Sequence, residues 1–153
     1  VMTARLANDK QAVAPRLVKS IGDAAPAFAP LDIDPYALAI IREGMFRVMH
    51  GGLGTARNYD LDKSLGGMAG KTGTVQNPHG DDHSIFIAFA PMDNPQIAIS
   101  VIVENSGFGS KWAAPIASLL IEKYLSGEPQ RKALEKRMMD GNLLQGDNNN
   151  NQH

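Results

Sequence analysis

Lys71, Thr72, Gly73 and Thr74 are consecutive, and their types and order suit a chemical task. A lysine ammonium is a compact cation able to hold a carboxylate. A threonine hydroxyl beside it can hydrogen-bond the same group. Glycine leaves the backbone bare, so an extended substrate can lie along it. A backbone N–H just past the glycine, that of Thr74, can help stabilise an oxyanion. The four residues fit the holding of an anionic chain end and the polarisation of a neighbouring carbonyl.

The elements around them must supply a strand. Gly66-Gly67-Met68-Ala69-Gly70 leads into Lys71-Thr72-Gly73-Thr74-Val75. Its alternating small residues suit a strand that a ligand or another backbone approaches closely. In a regular strand Lys71 and Thr72 lie on opposite faces, so both serve one cleft only at an open edge. Residues 76–84 read as a polar loop. Two apolar runs come next, 85–90 and 97–103, joined by Pro91-Met92-Asp93-Asn94-Pro95, a connector short enough for an antiparallel hairpin. Both runs are apolar at nearly every position, which predicts cover on both faces. That reading makes them interior strands and the lysine strand the edge that faces the cleft.

Helices flank the strands. Residues 1–7 read as the end of a helix, closed by Asn8-Asp9. Residues 12–18 read as extended, because Pro15 disfavours helix just before it. Gly22, Pro26 and Pro30 mark residues 22–33 as a loop. Asp34-Pro35 is a helix start, with Asp as N-cap and Pro at the first helical position. Leu38, Ile41, Met45 and Val48 recur at spacings of three and four, with Arg42, Glu43 and Arg47 away from that stripe. Gly51-Gly52 closes the helix. A later helix carries Pro115 in its first turn and ends at Gly127, with Ala113, Ile116, Ala117, Leu120 and Tyr124 as its apolar side. A short charged helix is expected over residues 130–139. The tail from Asn148 lacks apolar residues and is expected to be disordered. The fold class is α+β, an antiparallel sheet with packed helices.

Bulk composition narrows the function. Hydrophobic residues make up 43% of the 153 and charged residues 20%, which allows a packed core. With 15 basic and 16 acidic residues there is no electrostatic case for nucleic acid. Cysteine is absent, which excludes disulfides and thiolate metal sites. No run approaches the roughly 18 apolar residues of a membrane span. The chain opens at Val1 without a signal-like segment, and Val1 is read as a cut inside a longer protein.

Competing readings fail on context. Gly70-Lys71-Thr72 could end a phosphate-binding loop, but that pattern needs glycine at position 65, where Leu65 stands. It also needs an apolar strand before and a helix after, and Asp60-Leu61-Asp62-Lys63 and Asn77-Pro78-His79-Gly80 supply neither. His79, Asp81, Asp82 and His83 could suggest a metal, but no motif fixes their geometry and a solvated loop accounts for them. His50 at a helix end suits a favourable interaction with the helix dipole. Trp112 reads as a packing cover, and Glu104 as a strand-end polar group.

The Lys71-Thr72-Gly73 strand, with two apolar strands and a helix after it, resembles the K-T-G element of the penicillin-binding transpeptidases. Asp34-Pro35, then His50-Gly51-Gly52-Leu53-Gly54-Thr55-Ala56, resembles the helix and Gly-rich turn that precede that strand. His83-Ser84-Ile85-Phe86-Ile87-Ala88-Phe89-Ala90-Pro91 resembles the family's next strand. Val103-Glu104-Asn105-Ser106-Gly107-Phe108-Gly109 is similar to the ending of the family's domain. The resemblance covers roughly residues 1–125. It implies the C-terminal half of a transpeptidase domain of the penicillin-binding and serine β-lactamase type over 1–126, with 127–153 as a partly helical tail.

It further implies Lys71, Thr72, Gly73 and Thr74 as substrate-binding residues, Thr74 through its backbone N–H. The implied activity is peptidoglycan D,D-transpeptidation through an acyl-serine, with no metal or organic cofactor. The implied partners are stem peptides, β-lactams and a membrane glycosyltransferase, in a periplasmic domain anchored in the inner membrane. The departure from the family pattern is severe: no serine has lysine three residues later, and no S-x-N triplet occurs. The nucleophile and its base are expected upstream, and the chain alone is expected to be inactive. A non-enzymatic interaction module on the same sheet is the alternative.

Overall fold

The computed structural model describes residues 1–17 and 27–141. The tail from Asn148, and parts of the segments read as extended and as loop before Asp34, lie outside the described residues. The elements run α1 (Met2–Asn8), α2 (Pro35–His50), two 3-10 turns (Arg57–Tyr59, Lys63–Leu65), β1 (Ala69–Val75), β2 (His83–Ala90), β3 (Ile97–Val103), α3 (Ala113–Ser126) and α4 (Lys132–Met139). This is an α+β fold. Its sheet is antiparallel in the order β1-β2-β3.

Register decides what each face meets. Gly70, Thr72 and Thr74 pair with Ala88, Phe86 and Ser84, and these in turn pair with Ile99, Val101 and Val103. That face packs under α3: Phe86, Ala88 and Ala90 join Ala113, Ala114, Ala117 and Ile121, and the fully buried Met49 and Met68 belong to the same cluster. The opposite face carries Ala69 and Phe89 against Ala7 of α1 and Met45 of α2. Phe86 and Phe89 are fully buried, and burying each ring contributes about 1.5–3 kcal/mol.

Local signals explain the helix ends. The Asp34 carboxylate accepts from the backbone N–H of Tyr36 (2.7 Å) and Ala37 (3.2 Å), and Pro35 takes the first helical position. Gly51 closes α2 by donating to the Arg47 carbonyl.

Three sequence expectations need correction. The buried line of α2 is Leu38, Met45 and Met49, while Ile41 is 46% exposed. Arg42 completes that line. Its guanidinium donates to the carbonyls of Leu6, Ala7 and Met92 and lies 4.8 Å from the Phe89 ring centroid. A long stem with a fork of donors lets an arginine occupy a semi-buried site that a stripe of apolar letters does not reveal.

The second correction concerns β3. It is an edge strand of this sheet, and only its α3 side is half buried; Ile102 is 62% exposed. The seven-residue α1 reaches the Ala98 end of that face and stops short of Ile102.

The third concerns α3. Its buried positions are Ala113, Ala114, Pro115, Ala117, Ser118, Leu119, Ile121 and Glu122, whereas Leu120 and Tyr124 face outward. Small residues let the helix approach Phe86 closely. Its two buried polar groups are satisfied by Arg131, which lies about 3.2 Å from the Glu122 carboxylate and 2.6 Å from the Ser118 hydroxyl.

Candidate functional site

The site is built on the free edge of β1. In an antiparallel ladder the N–H and C=O of one residue point the same way, and successive residues alternate. The Lys71 ammonium curls back to the Thr72 carbonyl (2.5 Å), so the Thr72 main chain faces away from β2. By the same alternation Gly70 and Thr74 also turn their main-chain groups to the open edge. Lys71 and Gly73, whose register partners are Ile87 and Ile85, then turn theirs inward. The edge therefore offers an exposed ammonium, two threonine hydroxyls on one face, and main-chain N–H and C=O groups that face no neighbouring strand among the described residues.

Glycines around the strand have separable reasons. A Cβ on Gly70 would overlap the Phe86 ring, so this glycine makes room for the core rather than for a ligand. A Cβ on Gly73 would meet only Ile85 at ordinary contact distance, so nothing in this chain forbids one there. Gly109 lies over the Gly73–Ile85 pair, and a Cβ on it would overlap both carbonyl oxygens. Its loop is pinned by the Ser84 hydroxyl, which donates to the Phe108 carbonyl (3.0 Å) and accepts from the Ala113 N–H (3.1 Å).

A residue not singled out from sequence also enters the site. Thr55, in the turn after α2, lies with its hydroxyl 3.0 Å from the Thr72 hydroxyl. The turn is tightly held. Gly54 has no room for a Cβ against the Val48 and Arg47 carbonyls, Ala56 is buried and donates to the Val48 carbonyl, and Arg57 donates to the Gly52 carbonyl. The far end of the segment is clipped to α2 by His50 Nε2 and Asp60 Oδ2 at 2.6 Å. His50 Nδ1 lies 3.0 Å from the Phe46 carbonyl, and its ring stacks on Phe46. Burial pushes the Asp60 carboxyl above its ordinary value, against the lowering effect of the Leu61 N–H and of His50.

Polar groups at the start of β2 and in the loop before it have protein partners. His83 Nδ1 accepts from the Asn105 N–H (3.0 Å), and the Asp82 carboxylate accepts from the Asn77 N–H (3.2 Å). Among the described residues no group of three His, Cys, Asp or Glu converges to hold a metal ion. Among them, too, no helix is long and apolar enough to cross a membrane. Trp112 sits half buried at the start of α3 with its ring against Gly141, where a Cβ would overlap it.

The penicillin binding protein transpeptidase domain, as a family model, matches residues 1–122, which include all of the sheet and most of α3. The chain belongs to the penicillin-binding protein transpeptidase family. It is 35% identical over 147 residues to the peptidoglycan D,D-transpeptidase MrdA of Haemophilus influenzae, covering 81% of this chain and 22% of that protein. Its fold superposes on Pseudomonas aeruginosa PBP2, solved in complex with WCK 5153, with a TM-score of 0.71 and 36% identity, over 86% of this chain and 30% of that one. Penicillin-binding protein A of Mycobacterium tuberculosis, solved as an imipenem acyl-enzyme, gives a TM-score of 0.66 at 26% identity, over 82% of this chain and 29% of that one.

Within the transpeptidase family the likeness is to class B, PBP2-type proteins. The chain spans about a fifth of the length of the curated transpeptidases it matches. Thr55 escaped the sequence reading because its signal is only a glycine-rich turn. Its partner Thr72 stands 17 residues away, at a distance that only the folded turn closes.

Proposed function

We propose that this chain is the substrate-binding C-terminal part of a peptidoglycan D,D-transpeptidase, with residues 1–126 as the transpeptidase portion and 127–153 as an appended tail. The reading is carried by one observation: Lys71-Thr72-Gly73-Thr74 lies on an open sheet edge in a chain of the transpeptidase family. A serine on an S-x-x-K helix, in sequence beyond this chain, attacks the carbonyl of the penultimate D-alanine of a stem peptide. The lysine of that helix takes the serine proton, the C–N bond breaks, and D-alanine leaves with a proton. An amine of a neighbouring strand then attacks the acyl ester and releases the serine.

In this scheme Lys71 holds positive potential at the carboxylate and Thr72 donates a hydrogen bond to it. Gly73 leaves room for the substrate backbone, and the Thr74 N–H, on the open edge, contributes to the oxyanion hole. A β-lactam enters as a substrate mimic and acylates the same serine. The scheme needs no metal and no organic cofactor. The full-length protein is a periplasmic domain anchored in the inner membrane and works beside a membrane glycosyltransferase.

Labelling with a fluorescent penicillin, read by intact mass, tests this. The full-length protein should gain one stoichiometric adduct, and the 153-residue chain alone none. An adduct on the isolated chain would place the nucleophile within it. No adduct on the full-length protein would favour a non-enzymatic module.

A further inference from the structure

We propose that Thr55 is a positioning residue for carboxylate recognition, acting through the Thr72 hydroxyl; this rests on the reading of the Lys71–Thr74 edge given above. The two hydroxyls lie 3.0 Å apart, and each oxygen has one proton to give. If Thr72 spends its proton on Thr55, it has none for a substrate anion. The useful arrangement has Thr55 donating to Thr72 and Thr72 donating to the carboxylate. An anion at the end of such a chain favours that direction, because each donation polarises the next.

The frame supports the assignment. Thr55 is exposed on its open side, while its neighbours Gly54 and Ala56 are packed against α2. The main-chain bonds from Gly54 to Gly51 (2.9 Å) and from Ala56 to Val48 (3.2 Å) fix where its hydroxyl stands. Among the described residues no other side chain bonds the Thr72 hydroxyl. Thr74, on the same face of β1, has no such neighbour among them, so the two threonines are not equivalent. Thr72 is oriented and Thr74 is free to turn.

The test uses the full-length enzyme and two probes: a β-lactam with its carboxylate and the same compound as a neutral ester. Thr55→Val keeps the shape and removes the hydroxyl. It should slow acylation by the acid by roughly three- to tenfold, the size of one hydrogen bond between neutral groups, and leave the ester rate unchanged. Thr55→Ser should retain the wild-type ratio of acid to ester rates. Thr55→Val combined with Thr72→Val should be no slower than Thr72→Val alone. Thr55→Ala serves if Thr55→Val melts early. Wild-type behaviour of Thr55→Val with a slowed Thr72→Val would overturn the inference and leave the edge assignment standing. Wild-type behaviour of both would sink the edge assignment itself. Equal losses on acid and ester would reduce Thr55 to a structural role.

Discussion

Gly109 rests directly on the backbone of Gly73, with space for no side-chain carbon between the loop before α3 and the edge strand. A Cβ there would lie 3.1 Å from the Gly73 nitrogen and overlap the carbonyl oxygens of Gly73 and Ile85. The site strand is thus roofed by a loop that the Ser84 hydroxyl anchors from beneath.

Gly109→Ala should therefore lift the loop or push β1, at a cost of about 1–3 kcal/mol, as for overpacking elsewhere. Gly44 gives the contrast. It lies inside α2 with nothing within 4 Å of a Cβ, and Gly44→Ala should raise stability by about 0.5–1 kcal/mol. Thermal melts of the two variants should move in opposite directions. A neutral or stabilising Gly109→Ala would show that the roof is looser than its geometry implies.

Arg131, beyond the residues that the family model matches, is tied to the matched part of the chain. It pairs with the Glu122 carboxylate, whose side chain is 3% exposed, and donates to the carbonyls of Tyr59 and Asp60. Arg131→Met strands a buried carboxylate and should cost about 3–5 kcal/mol. Adding Glu122→Leu should recover a large part of that loss, since the desolvated charge disappears with its partner. Denaturant titration of the single and double variants checks this, and a double variant as unstable as the single would contradict it.

Asp60 gives a pH signature. Its folded-state value is raised, chiefly by burial, so the folded state binds its proton more tightly than the unfolded chain. The stability from that proton is fully present below the ordinary value of 3.8 and is lost as pH rises through the raised value. The stability of wild type minus that of Asp60→Asn should therefore fall as pH climbs from below 3.8 through the raised value. Melting curves of both proteins across that range provide the difference, and a rising difference would reverse the sign.

The sequence revealed local features well and distant ones poorly. Asp34-Pro35 announces the start of α2 because capping is a matter of three residues. The hairpin of β2 and β3 is legible in two apolar runs and a short connector. Arg42, Thr55 and the Glu122–Arg131 pair stayed hidden. Arg42 reaches carbonyls 35 to 50 positions away, and Arg131 reaches one 72 positions away. Single-sequence periodicity also placed Ile41 and Leu120 inward, because apolar letters mark a helical stripe without fixing its rotation against the sheet. The glycines misled in one respect: Gly70 is small for Phe86, whereas on the Cβ side of Gly73 only Ile85 stands near.

The most direct test of the account is the rate at which a β-lactam acylates the full-length enzyme carrying Lys71→Ala. An ammonium placed at the substrate carboxylate predicts a loss of about 10² or more. Thr72→Val in the same assay should cost about 1–3 kcal/mol of recognition, and the double variant should lose less than the sum. Acylation of Lys71→Ala at the wild-type rate would contradict the assignment of the β1 edge as the substrate-binding strand.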